Sequence, residues 1–327
     1  MKTILITGGM GYIGGRISHF LEKHAPNTRV FMTARRMPHH ALEWTKNISV
    51  MAMDVCRMES VKNCLQQVGN VDAIVHLAAL NENDSLKDPA RAFEVNTRGT
   101  LNLLLAASEK KMPRFMYFST FHVYGKPDVN VITEQTPTFP FHPYAYTHRA
   151  AEDVVRSFNY YSGMQTLIFR LSNGYGYPMH KDVDRWTLVF NDLCRQAVTT
   201  GKIALRSSGR EHRDFISLEN AARAVFHFLF EAADKWGDGL FNLGGECSLS
   251  ILDVADRVRT VYRKRYGKDV ASVDVPEEQE KSVSAYAPVR FSVDKLKAAG
   301  FSLVENMDEE IDKTMELCKG FLSAVQG

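Results

Sequence analysis

Met1-Lys2-Thr3-Ile4-Leu5-Ile6-Thr7-Gly8-Gly9-Met10-Gly11-Tyr12-Ile13-Gly14-Gly15 opens the chain and decides its architecture. Ile4, Leu5 and Ile6 form an uninterrupted apolar run, the mark of a strand buried on both faces, and the run stops at glycines. Beyond them Ile13, Ile17, Phe20 and Leu21 recur at helical spacing, one stripe to lay against a sheet. Between strand and helix lies Gly8-x-x-Gly11-x-x-Gly14. Glycine there permits a tight turn and close approach of backbone to a ligand, and a helix starting there offers unpaired N–H groups to an anion. An ordinary glycine-rich turn would account for the spacing alone. Its place, ending a strand and opening a helix, favours a dinucleotide pyrophosphate held by Gly8, Gly11, Tyr12, Ile13 and Gly14.

Outward from this turn, Arg29–Thr33, Ile48–Met53, Ala73–Leu77, Phe115–Ser119 and Thr166–Arg170 read as further strands. Helical patterns near 57–68, 89–110 and 144–161 lie between strands. The alternation predicts an α/β fold, a Rossmann-type doubly wound parallel sheet over residues 1–171, with ligands at the carboxyl ends of its strands. Past residue 172 the alternation loosens. Ile251, Val254, Ala255, Val258, Val261 and Tyr262 mark a helix there, and residues 172–327 are expected to form a smaller, mainly α substrate lobe, partly interleaved with the first domain.

Composition narrows the partners. With 40 basic and 38 acidic residues in 327, the net charge of +2 provides no field to recruit nucleic acid or a membrane surface. Five scattered cysteines, Cys56, Cys64, Cys194, Cys247 and Cys318, suit a reducing compartment. No apolar run approaches the length of a membrane span, and a cytoplasmic location is expected. His39-His40, His180 and His212 show no ligand spacing, so no metal is expected.

Arg35 and Arg36 follow the second strand, where an acid for the ribose 2′-hydroxyl of NAD would stand. Guanidinium groups there can pair with a 2′-phosphate, which favours NADP(H) and leaves NAD(H) as the alternative; a solvated basic turn is the plainer reading. Asp54-Val55, ending the third strand, is positioned for the adenine edge, with Asp54 also suited to cap a helix.

By this point the chain resembles the extended short-chain dehydrogenases/reductases, the epimerase/dehydratase class that acts mostly on nucleotide-activated sugars. His76-Leu77-Ala78-Ala79, Asn96-Thr97-Arg98-Gly99-Thr100, Ser119-Thr120-Phe121-His122-Val123-Tyr124-Gly125 and Pro143-Tyr144-Ala145-Tyr146-Thr147-His148 with Glu152 match its motifs in order. The resemblance implies that Leu77, Ala78, Ala79, Asn96 and Leu171 line the cofactor, and that Tyr144 is the acid/base of hydride transfer, assisted by Thr120. It also implies substrate contacts from Thr120, Asn173 and Arg213, the last in a segment similar to the class's R-D-[FY]-I motif, with a surface ion pair to Asp214 or Glu211 as the plainer reading of that arginine. His122 is a candidate substrate contact and equally a packed loop histidine. Helices 89–110 and 144–161 would pair across a homodimer, although core packing explains their apolar faces equally well.

Two departures matter. The class places a lysine four residues after the tyrosine, lowering its pKa and holding the nicotinamide ribose; here that position is His148, mostly neutral at pH 7 by its ordinary pKa. A second diphosphate-binding arginine is also out of register, because the position ten before Asp294 is Ser284, with Arg290 nearby. Arg185, Lys181 and Arg210 are candidates to compensate, as well as ordinary surface charges. Phe121-His122 stands where dehydratases of the class carry an Asp-Glu pair, which disfavours dehydration. The expectation is an NADP(H)-dependent reduction of a keto group, at C4, of a nucleotide-linked sugar. A 4-epimerase with retained NAD(P) is the nearest alternative, and a non-catalytic NADP-binding sensor or scaffold is an alternative of another kind.

Overall fold

The computed structural model describes residues 1–36, 44–45, 47–276 and 289–322. Its first half alternates β1 (Lys2–Thr7), α1 (Tyr12–His24), β2 (Thr28–Ala34), β3 (Ser49–Ala52), α2 (Met58–Val68) and β4 (Ala73–His76). Then follow α3 (Glu82–Lys87), α4 (Pro89–Ala92), a π-helical turn, α5 (Gly99–Glu109), β5 (Arg114–Thr120), β6 (Val131–Ile132), α6 (Pro143–Tyr161) and β7 (Gln165–Leu171). The second half holds β8 (Asn173–Tyr175), α7 (Val189–Thr200), β9 (Ile203–Ala204), β10 (His212–Ser217), α8 (Leu218–Phe226) and β11 (Leu240–Leu243). It ends with β12 (Ser248–Ser250), α9 (Ile251–Tyr266), β13 (Val273–Asp274), β14 (Arg290–Phe291), α10 (Asp294–Ala298) and α11 (Met307–Cys318).

Seven parallel strands form the main sheet in the order β11-β7-β5-β4-β1-β2-β3. The opening strand lies inside the sheet and both faces are covered, as its unbroken apolar run requires. Ile4 and Ile6 face one layer, with Ile17 and Leu21 of α1 and Val225 and Phe228. Leu5 faces the other, with Leu65 of α2, Leu103 and Leu104 of α5 and Val155 of α6. Chain order reverses between β1 and β4, the place where such sheets open a crevice.

The sheet does not end with β7. Leu240–Leu243 returns as its seventh strand beside β7, and α8 packs with α1, so the chain past residue 172 re-enters the first layer. The remaining lobe has its own core, Phe190, Leu193 and Cys194 of α7 against Val254 and Val258 of α9 and Ile311 and Met315 of α11. It also carries the three-stranded β12-β10-β8 sheet. A buried ion pair locks the lobe to the first helix: Arg16 donates to both carboxylate oxygens of Glu310, at 2.6 and 2.7 Å. Among the described residues no helix is long and apolar enough to cross a membrane, and all five cysteines are free thiols.

Candidate active site

Glycine is required in the opening turn for reasons the structure makes specific. Gly8 has φ +66°, and a Cβ on it would lie 2.9 Å from the Ala78 nitrogen. On Gly14 a Cβ would lie 2.3 Å from the Gly8 oxygen. The turn and the segment after β4 therefore press backbone to backbone, and a buried network sets their spacing. Thr7 Oγ accepts from the Leu77 and Ala78 N–H groups, which leaves its own hydrogen for Nδ1 of His76 at 2.5 Å. The opposite ring nitrogen then carries the hydrogen and donates to Thr100 Oγ at 3.0 Å. Burial pushes the His76 pKa down to about 3, so this ring is a neutral strut.

Over this turn lies a cavity of about 330 Å³. Its walls are Gly8, Gly11, Tyr12, Ile13 and Gly14 of the first turn, Arg35 after β2, Asp54 and Val55 after β3, and Leu77, Ala78 and Ala79 after β4. Tyr12 is fixed by donating its hydroxyl hydrogen to the Gly176 carbonyl at 2.7 Å. The close glycines, the helix start and the crevice across the β1–β4 switch suit a dinucleotide, with its pyrophosphate on the first turn. Arg35 reaches the wall with no hydrogen bond or ion pair among the described residues, whereas Arg36 is exposed and outside it. Arg91 and Arg185, neither expected in this pocket, complete its basic lining.

Several expected roles change on inspection. Asp54 does not cap α2, whose N-cap is Arg57; its carboxylate accepts from the Cys56 N–H in a local turn. Asn96 is outside the cavity. Its side chain accepts from the Leu80 N–H at 2.8 Å and donates to Thr147 Oγ at 3.0 Å, joining the post-β4 segment to α6. Leu171 ends β7 as a buried core residue away from the cavity wall. Asn173 donates to the Asp214 carbonyl at 2.9 Å. Arg213 is ion-paired with Glu211 at 3.3 Å, and Arg290 with Asp294 at 2.7 Å. The position of Ser284 and the His39-His40 pair lie outside the described residues.

Tyr144 stands in the first turn of α6, started by Pro143 and by His142, whose ring accepts from the Tyr144 N–H. The helix is clamped below. Glu152 accepts from Ser119 Oγ at 2.5 Å and pairs with Arg170 at 2.7 Å, all three side chains buried, which fixes α6 against β5 and β7. Removing one partner of such a pair costs about 3–5 kcal/mol. The phenol keeps some access to solvent but is densely ringed by protein. Burial first, and the nearby Glu82 carboxylate second, push its pKa up to about 12, against the opposing pull of Arg185 and of a hydrogen bond with Thr120. A pKa lowered toward neutrality, as the resemblance implied with lysine in place, is not what this environment produces.

His148 explains why. Its ring lies 4.2 Å from that of Tyr144, centre to centre, and its Nδ1–H donates to the Tyr144 carbonyl at 2.9 Å. Nε2 keeps its lone pair for an incoming hydroxyl. Burial pushes His148 down to about 4, so at neutral pH it places no cation beneath the phenol.

One carboxylate escaped the sequence reading. Glu82, in the first turn of α3, meets Nε2 of His122 at 2.7 Å. The His122 ring stands edge-on to Tyr144, 6.1 Å between centres, and its backbone N–H bonds Thr120 Oγ at 3.3 Å. The His122 contact holds the Glu82 carboxyl below the usual range despite partial burial. An acid in the first helical turn ordinarily complements the helix dipole, so only the fold reveals this partner, 40 positions away in the chain. Among the described residues no group of His, Cys, Asp and Glu is arranged to hold a metal ion.

Comparison with known proteins agrees with this layout. The profile of the NAD dependent epimerase/dehydratase family matches residues 4–244. A dTDP-glucose 4,6-dehydratase of Haemophilus influenzae is 26% identical over 275 residues, 79% of this chain and 79% of its own length. That of Salmonella typhimurium is 29% identical over 277 residues, 77% and 74% of the two chains. Among solved structures, the UDP-glucose 4-epimerase of Thermotoga maritima with UDP-glucose superposes with a TM-score of 0.80 at 21% identity, over 98% of this chain and 99% of that one. A likeness at that identity speaks for the fold.

Proposed function

The chain belongs to the NAD dependent epimerase/dehydratase family, and on that premise we propose that it oxidises a carbinol carbon, C4, of a nucleotide-linked sugar and processes the resulting ketone in place. The observation that carries this reading is the placing of Thr120 at the end of β5 and of Tyr144 in the first turn of α6, close enough for the threonine to oppose the rise of the phenol's pKa. When bound, a nicotinamide dinucleotide supplies hydride acceptance and return. Tyr144 exchanges the proton of the sugar hydroxyl, Thr120 holds the oxygen, and the Nε2 lone pair of His148 is available to a ribose hydroxyl.

A cycle with retained cofactor agrees better with the relatives, which are dehydratases and 4-epimerases, than the net reduction expected from Arg35 and Arg36. The objection to dehydration rested on the lack of a carboxylate after Thr120, and Glu82 now stands beside His122. NAD(H) follows from the family description, while an NADP(H) preference has Arg35 as its one support on the cavity wall. The diphosphate is left to cationic side chains facing the site, Arg213 among them, which spends one of its guanidinium nitrogens on Glu211. Pairing of α5 and α6 across a homodimer belongs to the same reading, supported by Leu105, 40% exposed on α5. Two readouts test this function: the dinucleotide released on denaturing the freshly purified protein, and turnover of dTDP- and UDP-linked hexoses. One oxidised dinucleotide per chain with conversion of a sugar nucleotide is expected. A protein that binds the cofactor and converts none of them would favour the sensor or scaffold.

A further inference from the structure

Resting on the reading that a ketone forms transiently on the sugar, we propose that Glu82 and His122 are a second acid/base pair, which withdraws the hydrogen on the carbon next to that ketone. The two side chains are 48% and 37% exposed and meet at 2.7 Å, beside Tyr144 rather than packed into the core. As a surface ion pair they would add at most about 1 kcal/mol to stability, too little to explain why two separate segments meet here. His122 is also tied to the reacting centre through its N–H on Thr120 Oγ and its ring against Tyr144. The groups facing the pair are Tyr144, His142 and Arg213, with the Phe121 ring tilted against the histidine ring, 4.1 Å between centres.

The hydrogen bond decides the tautomer. Nε2–H donates to Glu82, which leaves the lone pair on Nδ1 and places a negative charge where an imidazolium would need it. Tyr144 and His148 are poor candidates for this proton, the first a phenol pushed up to about 12 and the second pushed down to about 4. In the step itself the C–H bond breaks, its proton goes to His122 Nδ1, and its electron pair enters the carbonyl as an enolate whose oxygen Thr120 and Tyr144 hold. The ketone is what remains once C4 has given up its hydride to the nicotinamide dinucleotide, the only oxidant required. Where a hydroxyl sits on the carbon beyond, the enolate pair expels it to form the alkene, and the His122 proton leaves with it as water. Otherwise the proton returns to carbon after exchange with solvent. Glu82 acts through His122 and is a positioning residue.

A ready-made ketone separates this step from hydride transfer. A thymidine-diphosphate-linked 4-keto-6-deoxyhexose is added to the dinucleotide-loaded protein in D₂O, and deuterium entering the carbons beside the ketone is followed by NMR, with binding measured in parallel. Exchange is expected in the wild type and, at saturating ketone, at least about 100-fold slower in His122→Gln, the usual scale of a positioned base. Glu82→Gln keeps an acceptor but removes the charge, so it should slow exchange at saturating ketone about tenfold with ketone affinity unchanged, while Glu82→Asp, which keeps the charge, should recover most of that loss. A merely structural role would not separate the rate from the affinity or follow the charge. Binding without exchange, exchange in His122→Gln within about threefold of wild type, or equal rates in Glu82→Gln and wild type each overturns the pair. Failure of the ketone to bind at all overturns the substrate class first, and the proposal with it.

Discussion

Replacing His148 by lysine isolates the role of charge beneath the reacting phenol. With the Tyr144 pKa at about 12, ionising it at pH 7 lies about five units uphill, about 7 kcal/mol. The His148 ring sits 4.2 Å from the Tyr144 ring, so an ammonium on that position would come within about 5 Å of the phenolate oxygen. At an effective dielectric near 20 the attraction is about 3 kcal/mol, or about two pKa units. Burial lowers the pKa of the new lysine too, and the bond from His148 to the Tyr144 carbonyl is lost, so two units is the upper end. The assay is a single turnover with saturating sugar nucleotide, reading reduced nicotinamide by absorbance from pH 6 to 10. The limb that rises with pH should move down by about two units in His148→Lys, with a rate near pH 8 up to about 100-fold higher. An unmoved limb, or a slower enzyme at every pH with cofactor affinity intact, would refute the reasoning. It would mean that the neutral imidazole contributes something a cation does not.

Gly14→Ala would place a methyl 2.3 Å from the Gly8 oxygen and 2.7 Å from Gly9 Cα, and neither neighbour is a side chain that can swing away. A loss of about 3 kcal/mol in urea unfolding and of measurable dinucleotide binding is expected. Arg35→Ala should cut any preference for NADPH over NADH about tenfold in fluorescence titrations, the worth of one charged hydrogen bond, and Arg36→Ala, off the cavity wall, should leave the ratio unchanged. Asp214, whose carboxylate accepts from the Gly245 N–H, is raised to about 6, chiefly by burial. Its folded pKa lies above the unfolded one, so the native state holds the extra proton between about pH 4 and 6, and stability falls as pH rises through that window. Stability of the wild type relative to Asp214→Asn should therefore drop by about 2 kcal/mol from pH 4 to pH 7 in chemical denaturation; a constant difference would contradict the assignment.

What the sequence disclosed was mostly local. The Gly8–Gly14 turn and the strand before it are readable because a tight turn and two buried faces leave their marks on consecutive residues. Tyr144 is likewise legible through its neighbours, with Pro143 starting the helix and Glu152 clamping it two turns on. Partnerships across the fold were not. Glu82 reads as a helix-start acid, and Arg91 as one more charge before a helix, until the fold brings each of them to the site. Asn96 stands near the expected place, yet its side chain is taken up by the Leu80 N–H and by Thr147, whereas Asp54 lines the cavity wall and spends one carboxylate oxygen on the Cys56 N–H. Arg213 shows the limit from the other side. A motif can name a residue, but whether its guanidinium faces a ligand or Glu211 depends on a side chain two positions away. Four residues, Leu240–Leu243, were too short a run to announce the strand that closes the sheet.

The most direct test of the central claim is transfer of the C4 hydrogen. The dinucleotide-loaded protein is mixed with dTDP-glucose or UDP-glucose carrying deuterium at C4, and the cofactor is recovered within the first turnover and weighed. Deuterium in the reduced nicotinamide is expected, formed more slowly than from unlabelled sugar and abolished in Tyr144→Phe with sugar-nucleotide binding retained. Bound sugar nucleotide with no label in the cofactor, or an equal rate in Tyr144→Phe, would contradict the assignment of Tyr144 and of the reaction.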